Sequence, residues 1–138
     1  MTARRSQPAR SAPRPGRPVR GSATGRPVMA VFDLLGRRWV LRIVWELHVA
    51  ATPLTFRELR SACDGISSSV LTRRLHELAD ACLLTHVGDG YALTATGEGL
   101  VVGMQPILEW SRAWSRELAG RGRSSITGDV TAVRPPRR

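Results

Sequence analysis

Thr55-Phe56-Arg57-Glu58-Leu59-Arg60-Ser61-Ala62-Cys63-Asp64-Gly65-Ile66-Ser67-Ser68-Ser69-Val70-Leu71-Thr72-Arg73-Arg74-Leu75-His76-Glu77-Leu78 is the stretch on which the fold turns. Its opening has the form of a capping box, in which the Thr55 hydroxyl accepts from the Glu58 amide and the Glu58 carboxylate returns to the amide of Thr55. Phe56, Leu59 and Ala62 give the short helix after it a buried edge. Asp64-Gly65 then turns the chain, Gly65 being suited to a left-handed position past a helix end. Ser67 is the next N-cap, and Ile66 and Leu71 hold the N′ and N4 positions of a hydrophobic staple that fixes the angle of entry. A second helix is predicted from Ser68 to about Asp80, with Leu71, Leu75, Leu78 and then Cys82 along its buried stripe. At about 100° per residue, Ser69, Arg73 and His76 lie within roughly 40° of the opposite direction, with Thr72 at the margin. Two helices joined by so short a turn make a helix-turn-helix.

Toward the N-terminus, Val28, Val31, Phe32 and Leu35 recur at helical spacing from Pro27, and Gly36 supplies a stop. A further helix runs from about Arg38 to Val49, with Trp39, Ile43, Val44 and Leu47 on one face and Arg42 and Glu46 on the other. Toward the C-terminus, Leu83 to Val87 and Tyr91 to Thr94 read as two strands around Gly88-Asp89-Gly90, a favoured hairpin turn. Thr94 caps a last helix with Glu98 in its first turn, predicted to reach about Leu118. Leu100, Met104, Ile107, Ser111, Trp114 and Leu118 fall at a/d spacing, flanked by Val101, Leu108 and Trp110. Pro106 is expected to kink this helix. The fold class is mainly α, an α+β winged helix: a three-helix core, a two-stranded β-hairpin wing and a long C-terminal helix whose seam suits dimerisation.

Length and charge set the bounds. The chain has 138 residues, enough for one core without disulfides or metal. Its net charge of +10 is uneven: residues 1–26 carry seven Arg and no acid, residues 27–118 nine Arg against ten Asp and Glu, and residues 119–138 five Arg against Asp129. The domain of residues 27–118 is therefore near neutral, and a case for nucleic acid has to be made from it rather than from the basic ends. Residues 1–26 hold four Pro and three Gly with few apolar groups, which predicts a disordered basic arm; residues 119–138 read as a flexible basic tail. The 21 basic residues are all Arg, which suggests a GC-rich bacterial genome rather than a function.

Cys63 and Cys82 form no CxxC pair and have no His cluster beside them, so no metal or cofactor site is expected, and a reducing cytoplasm fits. Charges interrupt the longest apolar stretch, Val28 to Ala51, so no membrane span is expected. No phosphate loop, catalytic triad or metal spacing supports an enzyme, and His48, His76 and His86 lack a nucleophile or carboxylate placed to work with them.

The chemistry of the motif points to duplex DNA. Ser67, Ser68, Ser69 and Thr72 are short enough to let the start of the second motif helix approach a groove. Arg73 can reach a guanine edge or a phosphate. Arg57 and Arg60 flank the bracing helix and suit phosphates. Thr55, Arg74, His76 and His86 complete the candidate contacts, although Arg74 lies about 60° from the buried stripe and is equally placed to pair with Glu77 or Asp80. A Ser-rich helix start alone is also what a simple cap looks like; the whole motif is what favours contact with DNA.

These residues resemble the HxlR-type winged-helix regulators of bacteria from about Pro27 to Leu118. The resemblance is carried by Val31-Phe32-Asp33-Leu34-Leu35-Gly36-Arg37-Arg38-Trp39, Phe56-Arg57-Glu58-Leu59, Gly65-Ile66-Ser67 through Val70-Leu71-Thr72-Arg73-Arg74-Leu75, and Tyr91-Ala92-Leu93-Thr94-Ala95-Thr96-Gly97. It implies a sequence-specific transcription regulator acting as a homodimer on a pseudo-palindromic operator. The implied dimer is joined through Val28, Val31 and Phe32 of the first helix and Leu100, Met104, Ile107, Ser111, Trp114 and Leu118 of the last. Such proteins often carry a Cys before the Pro-Val that opens the first helix, and some sense oxidants or electrophiles with it; here that position is Arg26. Cys63 and Cys82 are both expected to be inert small hydrophobes. The wing is short and poor in basic residues, so the N-terminal arm is a candidate source of nonspecific attraction. A small-molecule effector is left open as a partner.

Two other readings stand beside this one. A nonspecific nucleic-acid-binding protein driven by its basic ends would interleave aromatics with Arg, and residues 1–26 have no aromatic residue. A winged-helix protein-interaction module would dock the second motif helix on a partner, which the polar, cationic face at Ser69 and Arg73 disfavours.

Overall fold

Pro27 occupies the first helical position of α1 (Pro27–Leu35), where its missing N–H costs nothing, and Gly36 caps the other end with its amide on Phe32 O. The structure, a computed structural model, describes residues 12–124. After α1 come α2 (Val40–Ala50), β1 (Leu54–Thr55), α3 (Phe56–Ala62), α4 (Ser68–Asp80), β2 (Leu84–Val87), β3 (Gly90–Leu93) and α5 (Ala95–Ser124). Helix α2 starts two residues later than the sequence suggests because Trp39 takes a left-handed conformation at φ 78° and makes a corner between α1 and α2. Within α5 the chain divides into two units between Val102 and Gly103.

The core of the first unit draws on nearly every element. Leu34 comes from α1, Val40, Ile43, Val44 and Leu47 from α2, Leu59 from α3, Leu71, Leu75 and Leu78 from α4, Leu84 from β2 and Val101 from α5. Cys63 and Ile66 fill the space at the α3–α4 turn. The sheet is antiparallel with the order β1-β3-β2, Leu54 opposite Tyr91 and Leu84 opposite Leu93. The hairpin β2–β3 is the expected wing; the third strand, β1, was not expected. Thr55 serves twice, as the end of β1 and as the N-cap of α3.

Helix α5 is joined tightly to the wing. The Thr94 hydroxyl donates to Cys82 O and accepts from the Gly97 amide. A Cβ on Gly97 would stand 2.1 Å from the Leu83 carbonyl oxygen, so the first turn of α5 passes the backbone at a distance that only glycine allows.

In the second unit, α5 continues through Pro106 and on to Ser124, six residues beyond the expected end at Leu118. Trp110 and Trp114 stack with ring centroids 5.4 Å apart, and Arg121 pairs with Glu117 at 3.1 Å. Residues 119–124, read as the start of a tail, are helical; the rest of that tail lies outside the described residues.

Two further expectations need correcting. Residues 12–26 are packed rather than a free arm: Ala12 is buried and its amide donates to Asp80, Arg14 pairs with Asp80, and the Arg20 amide donates to Asp33 at 3.2 Å. Composition misled here because the segment has little to bury within itself and is held by carboxylates far away in sequence. Residues 1–11 lie outside the described residues. Cys82 is not on the core stripe: α4 ends at Asp80, and Cys82 sits exposed in the following turn at φ 60°.

Candidate nucleic-acid interface

The short helix α3 begins with both halves of the capping box in place: Glu58 N donates to Thr55 Oγ1 at 3.2 Å, and Thr55 N donates to Glu58 Oε2 at 2.9 Å. Only Leu59 of α3 is fully buried. Arg42 of α2 ties down its far end by donating to Ala62 O at 3.1 Å, and is itself held by Glu46 at 2.7 Å. Arg57 and Arg60 stand exposed on the outer side of α3.

The turn keeps α4 apart from α3 by local means. Gly65 has φ 89°, and Asp64 before it φ 32°, so two residues run left-handed in succession. Ser67 Oγ then accepts from Val70 N at 3.3 Å, and both staple residues, Ile66 and Leu71, are buried. Arg60 Nε donates to Ile66 O at 3.3 Å, a bridge across the turn that holds its guanidinium near the start of α4. A depression of about 610 Å³ opens there, lined in part by Arg57, Arg60 and Ser67.

With the turn so fixed, the leading end of α4 projects. Ser67, Ser68, Ser69, Thr72, Arg73 and His76 are all exposed, and the first turn of the helix carries no acidic side chain. The Thr72 hydroxyl donates back to Ser68 O at 2.8 Å, and the Ser67 and Ser69 hydroxyls lie 3.3 Å apart. A polar helix start at the positive end of the helix dipole favours an anionic partner. Exposed His86 stands on β2 with its ring 4.3 Å from that of Tyr91 on β3.

Arg74 is the candidate that the structure takes away from this surface. Its Nη1 donates to both oxygens of Glu77 at 2.9 Å and its Nε to Arg38 O at 2.8 Å, turning the side chain inward toward the α1–α2 corner. Of the two acids foreseen as its partner it takes Glu77 and not Asp80, and the pairing removes Arg74 from the expected DNA contacts. Sequence reasoning missed the other half of this cluster, Arg37, which pairs with Glu77 at 2.9 Å.

The residues foreseen for dimerisation fall into two groups. Val28, Val31 and Phe32 are exposed on α1, as are Ile107, Trp114 and Leu118 on α5, while Leu100, Met104 and Ser111 are half-buried. The Ser111 hydroxyl donates within the helix to Leu108 O. Exposed Trp110 belongs with the α5 residues, and its position beside the seam was the only sign of it in the sequence. A separate, mainly apolar cavity of about 510 Å³ lies between residues 13–15, α1 and the start of α5, with Cys82 on its wall.

Comparison with known proteins places the arrangement. The HxlR-like helix-turn-helix family matches residues 34–119. An HTH-type transcriptional regulator of Methanocaldococcus jannaschii is 27% identical over 90 residues, which cover 62% of this chain and 83% of the relative. Among solved structures, a possible HxlR family transcriptional factor from Thermoplasma volcanium is 32% identical with a TM-score of 0.56, over 65% of this chain and 85% of that one. Quinone-bound YodB from Bacillus subtilis is 27% identical with a TM-score of 0.54, over 66% of this chain and 97% of that one.

Proposed function

The chain belongs to the HxlR-like helix-turn-helix family, and from that premise we propose that it acts as a homodimer that reads a pseudo-palindromic operator with two copies of α4. DNA-binding transcription regulation is the activity of the family; dimerisation, the operator and the contacting residues are this proposal. The observation that carries it is the leading end of α4: a run of short hydroxyl side chains and Arg73, all exposed, beside two exposed arginines of α3.

In this reading Ser67, Ser68, Ser69 and Thr72 let α4 enter the major groove, and Arg73 contacts a base edge. Arg57 and Arg60 hold the flanking phosphates at the depression beside Ser67, with Thr55 and His76 at the margin and His86 reaching from the wing. Val28, Val31 and Phe32 of α1 and the seam of α5 join the two copies. The protein does no chemistry on its ligand. Were a small molecule to govern it, as quinone-bound YodB suggests by analogy, the apolar cavity beside Cys82 has the size of such a site.

Selection of bound sites from a random duplex pool tests the reading. The expected product is an inverted repeat with half-site centres about 34 to 36 Å apart, or a multiple of that. Arg73→Ala should then weaken binding to the selected site by about 1 to 3 kcal/mol while leaving affinity for random duplex nearly unchanged. A pool that shows no enrichment would overturn the proposal, and equal losses on both duplexes would reduce Arg73 to a phosphate contact.

A further inference from the structure

Glu77 is the one charged residue buried among the described residues, with 4% of its surface exposed. Its carboxylate receives Arg37 Nη1 on Oε1 at 2.9 Å and Arg74 Nη1 on both oxygens at 2.9 Å. Arg74 then carries the connection to the backbone of the corner through Arg38 O at 2.8 Å. The corner is an unusual piece of chain: Trp39 is left-handed at φ 78°, and the Arg38 guanidinium lies over its ring at 5.6 Å. A left-handed non-glycine residue persists only where its surroundings hold it. One carboxylate on α4 and two arginines therefore lock that helix to the α1–α2 corner.

Burying such a cluster adds little stability, because removing three charges from water offsets much of their attraction. What it supplies is geometry. The leucine stripe of α4 (Leu71, Leu75, Leu78) sets its distance from the core, but apolar packing tolerates small rotations about the helix axis that directional charged hydrogen bonds resist. Glu77 also lies one turn after Arg73, about 40° from it around the helix, so a change in the rotation of α4 at Glu77 redirects Arg73 directly.

We propose that Glu77 is a positioning residue for DNA recognition: through Arg37 and Arg74 it fixes the rotation of α4 about its own axis, and with it the direction in which Ser69, Thr72 and Arg73 meet the bases. The inference rests on the reading of α4 as the DNA-contacting helix. It separates two properties that a folding defect would not separate. Contacts to phosphate through Arg57 and Arg60 come from α3 and survive a small rotation of α4, whereas base contacts do not.

The test is to measure the affinities of full-length Glu77→Gln for the selected operator and for random duplex at one salt concentration, each corrected for the active fraction by stoichiometric titration. The ratio of operator to random affinity should fall about tenfold, the equivalent of about 1.4 kcal/mol, with random affinity changed less than about threefold. A loss of fold lowers the active fraction and leaves the ratio of the remainder intact. Arg37→Ala, which lies outside α4, should reduce the ratio in the same direction and decides the matter if Glu77→Gln does not fold. An unchanged ratio in the folded variant overturns the inference. A wild-type ratio near one would instead remove the reading of α4 itself, a different result from a different sample.

Discussion

Arg73 and Arg74 are neighbours in sequence and end in opposite situations, one exposed on the face of α4 away from the core, the other folded inward onto Glu77 and the Arg38 carbonyl. The step of 100° between adjacent helical residues is enough to make one a candidate reader of DNA and the other part of the scaffold. The two cysteines diverge in the same way. Cys63 is buried, and that burial pushes its thiol pKa up, reinforced by the charge of Glu46 and partly opposed by Arg42. Because the folded state holds the thiol proton more tightly than the unfolded chain, the stability tied to Cys63 is complete at neutral pH. It is lost as pH rises beyond the ordinary thiol value toward the raised one. Denaturation midpoints should therefore fall in moving from neutral to alkaline buffer, and fall less in Cys63→Ala. In the native protein at neutral pH, a thiol reagent should titrate Cys82 quickly and reach Cys63 only after denaturant is added; two fast thiols would show that Cys63 is accessible.

Among the elements, those announced by local chemistry were legible and those made by distant partners were not. Pro27 and Gly36 bound α1, the Thr55 and Glu58 pair starts α3, and Ser67 starts α4, each as the sequence implied. The exposed start of α4 was legible for the same reason, since its staple and cap are local. Strand β1 was hidden because a two-residue strand beside Pro53 has no periodicity, and only β3, far along the chain, gives it a partner. The order of residues 12–26 depends likewise on Asp33 and Asp80. The Glu77 cluster was half legible: the i, i+3 spacing offered Arg74, but Arg37 arrives through the tertiary fold. Gly97 makes the junction between the wing and α5, because its missing side chain lets α5 pass the backbone of Leu83. Gly97→Ala should force the wing and the start of α5 apart and destabilise the protein by about 1 to 3 kcal/mol, the usual cost of overpacking. Alanine scores better than glycine in a helix by nearly 1 kcal/mol, so a melt that rises in this variant would show that the close approach does not constrain the junction.

Taken over all the described residues, the apolar side chains left in water matter more than the net charge. Phe32 is 58% exposed on α1, and Trp110 and Trp114 are 60% and 51% exposed on α5. Large apolar side chains left exposed on either unit mark interaction sites on soluble proteins. The charge distribution does not compete as an explanation, since the region between residues 27 and 118 is close to neutral and Arg14 is already paired with Asp80. A second copy is the occupant proposed for the α1 and α5 faces, and Trp114 is the residue on which the proposal can be tested most directly. It stacks on Trp110, so truncating it removes its own contact area and frees its neighbour as well. A buried Trp cut back to Ala costs about 3 to 5 kcal/mol, and in a dimer that loss counts once for each copy. Sedimentation of Trp114→Ala should show monomer at concentrations where the wild type is dimeric, with the melting of the first unit little changed because Trp114 lies outside its core. Operator affinity should fall with it, since half-sites read by separate monomers lose the advantage of being tethered. A variant that stays dimeric would move the interface off the α5 seam, and one that is monomeric yet binds the full operator as tightly as the wild type would remove the need for a dimer at all.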